Sequence, residues 1–323
     1  MVKGQTLAHA DDNEPAQTVH APAITAPQFR ALGERFGWQF IRVVCTAPGA
    51  CSAQADAHRR EDAQDVHWAA MSHDSPAEAP PLGGGAFYDE PSVFRRYSTH
   101  RASPTNPNDL VEEPALLDLL GSVQDQRVLD LGCGAGTFGR SLLQAGCRSY
   151  LGIDASLNMV TAAQQTLEGT AGRVRHATIE HFSAESATFD LVLSRLAFQY
   201  VEHLVPVFQQ VRRALVSGGR FVFSVEHPVI TSCARGWDSR QPRSDWLVDD
   251  YFVTGRRESD WLGARVVKYH RTIEDYVRLV QEAGFCVNYL SEARPRPEHF
   301  HSEAEFRRRS RIPLFLIVAA TVS

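Results

Sequence analysis

From residue 126 onward, short β-branched and leucine-rich runs alternate with longer mixed stretches whose apolar residues recur every three or four positions. Switching between these two periods is the mark of βαβ units. The runs predict strands over 127–131, 150–153, 174–179, 189–194 and 220–225, with later ones over 285–290 and 313–322. The mixed stretches predict helices over 139–145, 157–167, 204–215 and 273–283, the third stopped by Ser217-Gly218-Gly219. This order predicts an α/β fold, a doubly wound Rossmann-like sheet covered on both faces. Upstream, 88–101 and 110–120 read as helices at the ligand edge of the sheet. Thr272 reads as the N-cap of the helix after it, with Asp275 three residues on.

Two segments break the pattern. Residues 1–85 are rich in Ala, His, Asp, Gln and Pro, hold one apolar island over 29–45, and end in Gly83-Gly84-Gly85. Such a segment buries too little to offset its ordering entropy, so it is expected to be a poorly ordered extension to a domain over 86–323. Residues 228–268 form an insertion after the fifth strand and carry Trp237, Trp246, Tyr251, Phe252 and Trp261. An insertion of that length at a strand's carboxyl end is expected to be a lid or substrate wall.

At 323 residues and 43% hydrophobic, the chain can build a real core. Its net charge of -5 gives no footprint for nucleic acid. The longest apolar stretch, 314–322, suits a buried strand and is too short for a bilayer. Neither an apolar leader nor an acid-poor transit segment opens the chain. The six cysteines form no C-x-x-C pair, so reduced thiols, a cytoplasmic setting and no metal are expected.

Chemistry concentrates where the first strand meets Gly132-Cys133-Gly134-Ala135-Gly136. Glycines here permit positive φ and close approach of a ligand to the backbone. Thr137 stands where a dinucleotide fingerprint requires its third glycine, which favours a nucleoside over a pyrophosphate. Asp154 ends the second strand about twenty positions after the first glycine, the range from which a carboxylate reaches a ribose diol.

Val128 to Gly136, Gly152 to Ser156 and Phe189 to Ser194, in that order, resemble three motifs of the class I S-adenosylmethionine-dependent methyltransferases. The resemblance implies seven strands, the last antiparallel. It implies that Asp130 and Gly132 hold the methionine end of S-adenosylmethionine, that Gly134 and Gly136 also bind the cofactor, and that Tyr97 or Arg101 meets its carboxylate. Asp154 would take the ribose, and Ala155, Ser156 and Met159 would lie along the adenine. Thr178 and the backbone of Ile179 would stand in for the acid that the family often places near the adenine amino group. Ser194 and Leu196 would sit beneath the sulfonium, with Arg195 reaching a substrate or a structural acid.

In-line methyl transfer needs mainly positioning, helped by a base when the nucleophile carries a proton. A candidate for that base is His227, in Glu226-His227-Pro228, and the resemblance adds Tyr269 and His270, in Lys268-Tyr269-His270-Arg271-Thr272, a segment that in similar methyltransferases flanks the substrate pocket. His227 is equally suited to tying down the insertion, and Glu226 to a structural ion pair. Tyr88, Phe198, Tyr200 and His203 are expected near the same cavity. The acceptor implied is a small, flat, partly apolar molecule, with neither nucleic acid nor membrane as partner. A nicotinamide-dependent oxidoreductase and a catalytically silent protein of the same fold are the competing readings.

Overall fold

The computed structural model describes residues 80–236 and 245–322, all within the unit His73–Ser323. Trp237, and the expectation that 1–79 form a loose extension, lie outside the described residues.

Seven strands form one sheet: β1 (Arg127–Leu131), β2 (Ser149–Asp154), β3 (Gly172–His176), β4 (Phe189–Arg195), β5 (Leu215–Glu226), β8 (Phe285–Ser291) and β9 (Phe315–Val322). They lie in the order β3-β2-β1-β4-β5-β9-β8, and β9 runs antiparallel to both neighbours, as expected. A separate hairpin pairs β6 (Gly255–Trp261) with β7 (Ala264–His270). The strand order reverses beside β1, which is where open α/β sheets leave a crevice.

Alternation along β1 divides the core between the two faces of the sheet. Leu129 and Leu131 join the cluster built on Phe198, Phe208, Phe221 and Phe223, whereas Val128 joins Leu116, Phe138, Leu142 and Tyr150 on the other side. Asp130 shares the Val128 face and is 2% exposed. The covering helices are α3 (Glu113–Leu120), α4 (Thr137–Gln144), α5 (Leu157–Thr166), α6 (Leu204–Ala214) and α8 (Ile273–Glu282). The predicted cap is present: Thr272 and Asp275 form a reciprocal capping box on α8.

Four expectations need correction. The 88–101 helix is two, α1 (Gly84–Asp89) and α2 (Pro91–Arg101), because Pro91 cannot continue α1 and instead opens α2 on the Glu90 cap. The glycine run before it belongs to the domain rather than to an extension ending at 85. Leu82 bridges to β7 through Leu82 N to Arg265 O (3.1 Å) and Val267 N to Leu82 O (3.0 Å). A Cβ on Gly85 would lie 2.8 Å from that of Ala155. Third, Ser217-Gly218-Gly219 does not stop α6. Leu215 is already extended and pairs with Phe189, so the glycines fall within β5. Finally, the 174–179 strand ends at His176, and Ile179 opens a short 3-10 turn.

The insertion folds as a short helix, α7 (Pro228–Thr231), followed by the β6–β7 hairpin. The two-residue turn, Leu262-Gly263, has positive φ at both positions (51° and 75°), the hairpin geometry that matches strand twist. The C-terminal segment adds α9 (Glu303–Arg309) ahead of β9.

Candidate active site

A cavity of about 1250 Å³ opens at the carboxyl ends of β1, β2, β4 and β5. Its floor holds Asp130, Gly132, Gly134, Asp154, Ala155, Leu196 and Glu226, and Met159, Thr178 and Ile179 close one end. Gly83 to Ala86, Tyr88, Tyr97 and Arg101 roof it, and Ile230, Trp246, Trp261, Leu314 and Phe315 wall the other end.

The glycines of the turn serve different ends. A Cβ on Gly132 (φ 80°) would lie 2.4 Å from the Ala197 Cβ, and one on Gly136 (φ 73°) would lie 3.1 Å from the Ala163 Cβ. Both are packing requirements. Gly134 meets nothing closer than the Tyr97 hydroxyl at 3.8 Å, and this glycine leaves space inside the cavity.

Asp130 Oδ2 accepts from the Tyr150 hydroxyl at 2.7 Å, while Oδ1 is buried with no partner among the described residues. Burial pushes the carboxyl up to about 7, against the pull of Tyr150 and Arg195. Arg101 is its counterpart: Nη2 donates to Asp109 at 2.7 Å, and Nη1 is buried without a partner among the described residues. An orphaned acceptor and an orphaned cationic donor complement the ammonium and carboxylate of an α-amino acid. Asp154 accepts from Gly134 N (2.8 Å) on Oδ2 and Ser156 N (2.9 Å) on Oδ1, which fixes its orientation and leaves further lone pairs. Its burial raises the carboxyl, and those two amides oppose the shift.

At the other end Glu226 receives both of its contacts from Lys268 Nζ at 2.8 Å, and Lys268 is 8% exposed. The ammonium lies 5.7 Å from the Trp261 ring centre and 6.0 Å from that of Tyr200. Tyr88 and Tyr200 share a hydroxyl hydrogen bond of 3.0 Å, and burial raises both phenols above their ordinary range. Arg195 meets the buried Glu112 and also Glu113 (3.0 Å), so the structural acid is its partner.

Several expected residues stand away from the cavity wall. Gly136 caps α4. Ser156 donates to Asp89 at 2.7 Å and caps α5 through Met159 N. Ser194 donates to Leu131 O at 2.7 Å in the core. None of the three catalytic candidates faces the cavity. His227 Nδ1 caps α7 by accepting from Val229 N at 3.1 Å, and its Nε2 meets Glu292 at 3.1 Å. His270 is fully buried between Thr231 Oγ1 (2.8 Å) and Tyr251 O (2.9 Å). Tyr269 donates outward to Glu202. The two histidines therefore pin both ends of α7, which carries Ile230 onto the wall. Burial lowers both imidazoles, which favours this uncharged structural use. Phe198 is in the core, Phe252 is exposed, and Trp246 and Trp261 supply the aromatic wall.

Sequence reasoning missed the glycine roof, Gln199, Lys268, Arg308 and Arg309, all but Lys268 on the cavity wall. Lys268 carried a signal: a cation directly after the apolar pair Val266-Val267 must be paired when buried.

Residues 129–223 match the family model described as "Methyltransferase domain". An uncharacterized protein of Haemophilus influenzae is 29% identical over 215 residues, 64% of this chain and 85% of that protein. The malonyl-[acyl-carrier protein] O-methyltransferase of Enterobacter lignolyticus is 36% identical over 110 residues, 34% of this chain and 43% of that enzyme. The match thus spans under half of that relative. A crystal structure of an S-adenosylmethionine-dependent methyltransferase from Mesorhizobium loti is 34% identical with a TM-score of 0.60, covering 68% of this chain and 99% of that one. Similarity at this level along nearly the whole of a solved homologue, with the glycine turn and both aspartates in place, makes the chain a member of the class I S-adenosylmethionine-dependent methyltransferases, with S-adenosylmethionine as its cofactor.

Proposed function

We propose that this enzyme methylates a small, flat, partly apolar molecule bound beside the cofactor in the same cavity. The observation that carries the reading is the aromatic and aliphatic acceptor end: Trp246, Trp261, Tyr200, Ile230 and Leu314 around the Glu226–Lys268 pair. A volume of about 1250 Å³ exceeds the roughly 300–1,000 Å³ of an ordinary single-ligand pocket, which supports room for two ligands.

The cofactor supplies an electrophilic methyl group on a sulfonium when bound. Asp130 would hold its ammonium, Arg101 its carboxylate and Asp154 its ribose hydroxyls. Ala155, Met159, Thr178 and Ile179 enclose the adenine, with Tyr97 and Gly134 between. Gly136, Ser156 and Ser194 act one layer out, by shaping the turn and its flanking helix. The roof over Tyr88 and Tyr97 excludes water, and orientation alone can supply about 7–11 kcal/mol. Phenols raised by burial remain protonated at neutral pH, so in the Tyr88–Tyr200 pair one hydroxyl donates to the other and the second keeps its proton for the acceptor. Glu226 is the carboxylate placed to take a proton from a protic acceptor.

Label transfer from methyl-labelled S-adenosylmethionine to a panel of small aromatic alcohols, amines and acids tests the reading, with total protein and RNA in parallel. Label in the small-molecule fraction is expected; label in macromolecules alone contradicts it. Glu226→Gln is expected to lower transfer by about 10²–10⁴-fold.

A further inference from the structure

The cavity wall carries a cation that the fold does not account for. In α9, Arg307 pairs outward with Glu303 four residues earlier, and Arg308 pairs with Glu305 at 3.3 Å. Those contacts, and the favourable placing of cations in a last helical turn, explain both side chains. Arg309 differs. Its nearest carboxylate is the same Glu305, at 3.8 Å and already shared with Arg308, and its Nε is buried with no hydrogen-bond partner among the described residues. Its side chain is 19% exposed and lines the cavity.

Arg309 also lies near His100, which borders the aromatic wall. His100 packs edge-on against Trp261 with ring centres 5.3 Å apart, and the charges of Arg101 and Arg309 both help to lower its imidazole, after burial. A guanidinium side chain on the cavity wall with its Nε unpaired, near an aromatic wall, matches one kind of ligand: a flat ring that carries an oxyanion. Arginine's fork pairs with a carboxylate through two parallel hydrogen bonds. In a chain of net charge -5, a partly buried arginine with an empty donor is a placed feature rather than part of a general basic surface.

We propose that Arg309 is a specificity-determining residue that docks the carboxylate of an aromatic-acid acceptor, with Trp261 and Trp246 holding the ring. This rests on the small-molecule reading above and narrows it to anionic acceptors. The division of labour follows: Arg101 meets the cofactor's carboxylate, and Arg309 meets the acceptor's.

Calorimetry on the full chain tests the proposal. The protein is first titrated with S-adenosylhomocysteine, and the loaded protein then with 2-naphthoate, its neutral amide 2-naphthamide, and 2-naphthyl phosphate. The acid is expected to bind at least about tenfold more tightly than the amide, a preference lost in Arg309→Gln and partly kept in Arg309→Lys. S-adenosylhomocysteine affinity should be the same in all three proteins. Equal affinity for acid and amide, or no binding of the acid, overturns the proposal while leaving the cofactor site intact. A preference for the phosphate over the acid overturns the carboxylate assignment. If Arg309→Gln weakens S-adenosylhomocysteine instead, the arginine belongs to the cofactor. Failure of S-adenosylhomocysteine to bind the wild type would defeat the underlying reading itself.

Discussion

Asp130 pairs one satisfied carboxylate oxygen with one unsatisfied and buried. Its folded pKa of about 7 lies above the ordinary 3.8, so the folded protein binds the extra proton between these values. The Asp130 contribution to unliganded stability is therefore fully present below about pH 4 and is lost as pH rises towards 7, by a few kcal/mol at roughly 1.4 kcal/mol per unit. Cofactor binding has the opposite sign, because only the carboxylate pairs with an ammonium. S-adenosylhomocysteine affinity should strengthen as pH rises through about 7, and Asp130→Asn should abolish that dependence while raising the unliganded Tm at pH 8. Calorimetry and thermal melts at pH 6 and 8 check both. That Asp130, Gly134 and Asp154 line the cavity was legible because a strand running into a glycine turn fixes which residues stand at the carboxyl ends of the strands. His227 and His270 were misplaced because residue type and strand-end position do not disclose which way a side chain points. Here both imidazoles turn back to hold α7.

At the scale of elements, the α4–β2 contact governs the site. A Cβ on Gly139 would lie 2.2 Å from Tyr150 Cζ, and Tyr150 is the residue that anchors Asp130. Gly139→Ala should cost about 1–3 kcal/mol through overpacking. It should weaken S-adenosylhomocysteine even though residue 139 does not line the cavity, and an unchanged Kd in a destabilised variant would refute the coupling. The β-branched and leucine-rich runs revealed the sheet strands because burial on both faces demands such runs. The hairpin β6–β7 stayed hidden. Its first strand, Gly-Arg-Arg-Glu-Ser-Asp-Trp, is almost wholly polar, and its turn uses Leu262-Gly263 where Asn-Gly is the usual signal. The glycine roof was equally unreadable, since three glycines in succession argue against a helix by propensity. Contact with Ala155 and β7 overrides that propensity.

On the scale of the molecule, the sheet, its helices and the cavity lie within the described part of residues 73–323. The Mesorhizobium loti homologue is matched over 99% of its length by only 68% of this chain. A chain beginning at residue 80 should accordingly keep S-adenosylhomocysteine affinity within about twofold. Calorimetry of the two proteins side by side checks this, and loss of binding in the shorter one would make residues 1–79 part of the site. Among the described residues no helix is long and apolar enough to cross a membrane.

The central claim is that the cavity reads an α-amino acid through Asp130 and Arg101. The most direct measurement compares S-adenosylhomocysteine with 5′-methylthioadenosine, which lacks that moiety, by calorimetry on the wild type and on Arg101→Gln. Charge-assisted hydrogen bonds of about 1.5–3 kcal/mol predict a wild-type preference for S-adenosylhomocysteine of roughly 10- to 100-fold, much reduced in the variant. Equal affinity of the two ligands for the wild type would contradict the account.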